Sequence, residues 1–73
     1  MKYNEILMNE ALQGNKDALK ELDFNAGAGS PEAQYYFALY YKNKYNENDA
    51  NYLYWLNKSR SYGYSPALEV NGE

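Results

Sequence analysis

The sequence predicts an all-α fold built of about four helices in short antiparallel hairpins, and three observations predict it. A glycine followed four residues later by alanine occurs three times, as Gly14-Asn15-Lys16-Asp17-Ala18, Gly29-Ser30-Pro31-Glu32-Ala33 and Gly63-Tyr64-Ser65-Pro66-Ala67. Each reads as a helix end followed at once by a helix start. Glycine takes the left-handed closing conformation, a side-chain oxygen accepts from the next helix's free amides, and proline tolerates the first helical position. The stretches between the glycines carry apolar residues at helical spacing. Alternation of Val, Ile and Thr, the mark of strands, is almost absent.

The first helix is expected from about Lys2 to Gln13, with Tyr3, Ile6, Leu7, Met8 and Ala11 inward. The second runs from Lys16 to Asn25 with Ala18, Leu19, Leu22 and Ala26 on one side. Ser30 and Pro31 start the third, to about Lys42, and Ala33, Phe37, Tyr40 and Tyr41 fall on one stripe. A polar connection, residues 43–47, leads to a fourth helix from Asn48 or Asp49 to Gly63, presenting Tyr52, Leu53, Trp55, Leu56 and Ser59. A fifth begins at Ser65 and is stopped by Asn71-Gly72 after about a turn and a half. Gly27-Ala28-Gly29 looks like a phosphate loop but follows a helix rather than a strand, and is read as an interhelical turn.

With 73 residues the chain makes one domain. Leu, Ile, Val and Phe number only twelve, against ten tyrosines, so the core is expected to rest on aromatic rings and alanines. There is no cysteine and no histidine, which excludes disulfides, thiolate nucleophiles, zinc clusters of those ligands and histidine bases. No metal or other cofactor is expected. A net charge of −3 with a single arginine speaks against a nucleic-acid footprint, and no apolar run reaches the length of a membrane span. A cytoplasmic location without a signal peptide is the corresponding expectation.

From Gly29 to Gly63 the spacing is 34 residues, a period of stacked helix–turn–helix repeats. Within it Gly29-x-x-x-Ala33-Gln34-Tyr35-x-Phe37-Ala38-x-x-Tyr41 resembles the first helix of a Sel1-like repeat, and Trp55-Leu56-Asn57-Lys58-Ser59-Arg60-x-x-Gly63 resembles the second. Residues 1–28 then form an N-terminal helix pair, 29–63 one full repeat, and 64–73 a truncated start. Ser59 and Arg60 stand where that family has two alanines, and Tyr52 where a small residue would let helices approach. Either that crossing is looser here or Arg60 points outward. The resemblance implies a minimal solenoid used for protein–protein contact, with no catalysis and no cofactor.

The candidate partner-binding residues are Tyr36, Tyr40, Tyr54, Arg60, Tyr62 and Tyr64, an aromatic set of the kind that anchors protein partners. Glu10 and Glu21 show no spacing that selects a catalytic pair and read as solvated helix faces. The expected function is non-enzymatic binding of another protein, as a small inhibitor that blocks it. Alternatives are an anti-CRISPR-like or immunity protein mimicking nucleic-acid charge, and a self-assembling or adaptor protein that includes a homodimer.

Overall fold

The computed structural model of the chain describes residues 2–70, and three of the four breaks between its helices fall at Gly14, Gly29 and Gly63. They are α1 (Tyr3–Leu12), α2 (Lys16–Gly27), α3 (Pro31–Lys44), α4 (Ala50–Ser61) and α5 (Ser65–Leu68), with no strand among the described residues. Gly14, Gly29 and Gly63 hold φ of 102°, 101° and 78°, values that a side chain strains to adopt. All three turns carry the same pair of hydrogen bonds. The glycine amide donates to the carbonyl three residues back (Ala11, Ala26, Arg60) and the next amide to the carbonyl five back (Glu10, Asn25, Ser59), at 2.8–3.3 Å. This double bond satisfies carbonyls that a helix end leaves orphaned.

The next helix starts on the following residue. Asn15 Oδ1 accepts from the Ala18 amide at 3.0 Å and Ser30 Oγ from the Ala33 amide at 3.1 Å. At the third turn the cap position falls on Tyr64, not Ser65, and no side chain closes it; Pro66 is the second helical residue. Asp49 caps α4 by accepting from the amides of Asn51 and Tyr52, both at 3.0 Å. Helix α3 runs to Lys44, so Asn43 and Lys44 lie in the helix rather than in the connection. The expected stop at Asn71-Gly72 lies outside the described residues.

Side-chain bonds give the directions. Asn4, at the start of α1, accepts from Asn25 near the end of α2, so these two run antiparallel. Ser59, near the end of α4, donates to the carbonyl of Pro31 at the start of α3 at 2.8 Å, making a second antiparallel pair. Asn4 also donates to Glu32, which places the starts of α1 and α3 side by side.

Helix α3 sits between two apolar clusters. On one side Leu7, Met8, Ala11, Ala18, Leu22 and Ala26 pack on Ala33, Phe37 and Tyr40. On the other, Tyr52, Leu56 and Ala67 pack on Ala38. Leu39, Tyr41 and Trp55 border both. The alanine four residues after each turn glycine, Ala18, Ala33 and Ala67, is buried every time, which lets each new helix start close to its neighbour.

Three inward expectations are corrected. Tyr3 is exposed, its hydroxyl bonded to Glu21, and Asn4 takes the buried place on α1 because Glu32 and Asn25 satisfy its amide. Leu53 is exposed on α4. Ile6 is only half-buried.

Candidate protein-interaction surface

Helix α4 buries Tyr52, Leu56 and Ser59, one per turn, and so turns the opposite side outward. On that side stand Tyr54, 54% exposed, and Tyr62, the residue that ends the helix, 52% exposed. Lys58 lies midway between them, four residues from each, on the same stripe. Its ammonium sits 5.6 Å from the centre of the Tyr54 ring. Tyr54 is held from beneath by Trp55, edge-on at 5.0 Å, so the exposed ring rests on a half-buried one. Leu53 adds an apolar side chain beside it.

The other candidates go elsewhere. Tyr40 is 5% exposed and belongs to the core, where it stacks on Phe37 at 6.3 Å and meets Tyr41 edge-on at 5.3 Å. It lies seven residues from Ala33 and three from Phe37, so the buried stripe claims it. Arg60 neither opens the helix crossing nor points into solvent. Its Nε donates to the Ala67 carbonyl at 3.0 Å and its Nη2 to the Val70 carbonyl at 2.8 Å, closing the end of α5. Ser59, its neighbour, is the residue buried at the crossing.

Tyr36 and Tyr64 meet through a residue that sequence reasoning did not select. Tyr35 packs edge-on against Tyr36 at 5.1 Å and tilted against Tyr64 at 5.6 Å. All three are half-buried. Burial, foremost, raises the hydroxyl pKa of Tyr35 and of Tyr36 above the usual tyrosine value. Lys2 stands 6.0 Å from the Tyr64 ring centre and 3.4 Å from the Glu32 carboxylate; its ammonium is held above the usual lysine range, by Tyr64 first and Glu32 next. The six candidates thus separate into an exposed pair on α4, a half-buried pair on Tyr35, one core ring and one arginine clasp.

The most exposed aromatic among the described residues was missed. Phe24 of α2 is 73% exposed beside an open depression of about 610 Å³ lined by Lys20, Asp23, Gly27 and Ala28. Its spacing announces it, since Phe24 falls off the Ala18–Leu22–Ala26 stripe.

Among the described residues no group of three or more His, Cys, Asp or Glu side chains gathers to hold a metal ion, and no helix is long and apolar enough to cross a membrane. Comparison with protein-family models, with curated proteins and with solved structures gives no match.

Proposed function

We propose that this chain is a non-catalytic protein-interaction module, a small inhibitor whose α4 face docks on a partner protein and blocks it. The observation that supports it is the pairing of Tyr54 and Tyr62, both more than half exposed, on one face of a helix whose other face is buried. Tyrosine brings large amphipathic contact area at low entropy cost, and such residues dominate binding energy when a partner desolvates them. Trp55 beneath Tyr54 and the capped start of α4 at Asp49 hold the surface in place before binding. The Sel1-like reading is part of this proposal. Two antiparallel pairs with α1 and α3 starting side by side are the arrangement a stacked repeat needs, and Arg60 fastens α5 to the end of α4.

The test is capture from a lysate of the source cells with wild-type bait and with Tyr54→Ala/Tyr62→Ala bait of matched melting temperature. A partner retained by the first and lost by the second is the expected result, with affinity falling about thirtyfold for each ring. Equal capture by both baits contradicts it.

Phe24 supports a second reading, an adaptor that joins two proteins, because this most exposed of the aromatics stands on α2, away from Tyr54 and Tyr62. Phe24→Ala then removes one captured protein and leaves the one that depends on Tyr54.

A further inference from the structure

We propose that the partner of α4 presents a carboxylate set among apolar side chains, and that Lys58 selects it. This rests on the reading of α4 as the docking face. The inference starts from the place of Lys58 between Tyr54 and Tyr62. A partner that covers both rings must also cover the ammonium, and a cation stripped of water is costly unless an anion replaces the water.

Among the described residues none pairs its carboxylate with Lys58. Helix α4 carries no Asp or Glu from Ala50 to Ser61, whereas α1, α2 and α3 each carry at least one. Among the described residues the one ion pair joins Lys2 to Glu32. The Tyr54 ring face leaves the Lys58 charge attracted but not neutralised.

The same geometry favours carboxylate over phosphate. One ammonium balances the single charge of a carboxylate but not the roughly −1.5 to −2 of a phosphate group, and Arg60, the other cation of α4, already spends its Nε and Nη2 on the carbonyls of Ala67 and Val70. Nucleic-acid backbones demand several cations together, and the exposed stripe of α4 offers one within a chain of net charge −3.

The experiment is selection from a displayed library of random peptides against the full chain, with Tyr54→Ala/Tyr62→Ala as the counter-bait. Peptides that depend on the two rings should be enriched in Asp or Glu beside aromatic or aliphatic residues. Lys58→Gln should weaken them about fivefold, and Lys58→Glu should turn the selection toward basic peptides. Ring-dependent peptides with no acidic bias, or unaffected by Lys58→Gln, overturn the inference while leaving α4 as the docking face. Peptides that bind equally to the counter-bait overturn the docking face itself. A single-stranded oligothymidine that binds through Tyr54 and Lys58 at physiological salt overturns the choice of carboxylate.

Discussion

The two sides of α3 are built differently. Toward α1 and α2, it packs into a cluster fed by both neighbouring helices, with Leu22, Ala26 and Ala33 fully shielded and with side-chain caps at both turns. Toward α4 and α5, the cluster is smaller, its last helix has four residues, and the turn before it lacks a side-chain cap. There an arginine holding two carbonyls substitutes for packing. Stability therefore concentrates in the first half, while the second half leaves one face of α4 to the surroundings. The thinner side is the one that carries Tyr54 and Tyr62.

Leu22→Ala removes a fully shielded side chain from the thicker cluster and should cost about 4 kcal/mol in chemical denaturation. Leu56→Ala, in the thinner one, should cost about 2 kcal/mol. Equal losses would break the comparison.

Alkaline pH sharpens it. Burial is the first cause that raises the hydroxyl pKa of Tyr35, Tyr36 and Tyr41 above 10.0. A group with a raised folded pKa contributes stability that is whole below its unfolded value and lost as pH rises through the folded value. Melting temperature should hold up to about pH 10 and fall above it. Tyr35→Phe and Tyr41→Phe should each make that fall shallower.

Arg60→Gln removes the two bonds that close α5 and should cost about 1–2 kcal/mol. Amide exchange should quicken at residues 67–70 while the amides of α2 stay protected. Smallest of these is Ser30→Ala, the loss of one cap, at about 1 kcal/mol read as a shift in melting temperature.

The fold was legible because its punctuation is chemical. Glycine at positive φ and an oxygen acceptor one residue later are written in the residue types themselves, so Gly14, Gly29 and Gly63 divide the chain where the sequence places the breaks. The fifth helix begins at Ser65 as expected, but Ser65 is not its cap: Ser65-Pro66 imitates Ser30-Pro31 while the glycine spacing puts the cap on Tyr64. The surface was less legible. Tyr40 satisfied both an aromatic-surface reading and a buried stripe, and the stripe prevailed because Phe37 and Tyr41 surround it. Asn4 could not be placed inside from sequence, since its burial depends on Glu32 and Asn25, distant in the chain. Arg60 likewise finds its acceptors only after Gly63 has turned the chain back.

One paired measurement bears most directly on the division between core and docking face: melting temperature and partner capture, taken together, for Tyr54→Ala/Tyr62→Ala and for Tyr40→Ala. The α4 pair should keep the wild-type melting temperature and lose the partner, while Tyr40→Ala should lower the melting temperature by more than about 10 °C, from a loss of about 3 kcal/mol. Capture that survives the α4 pair, or a Tyr40→Ala variant that melts as wild type, would contradict that division.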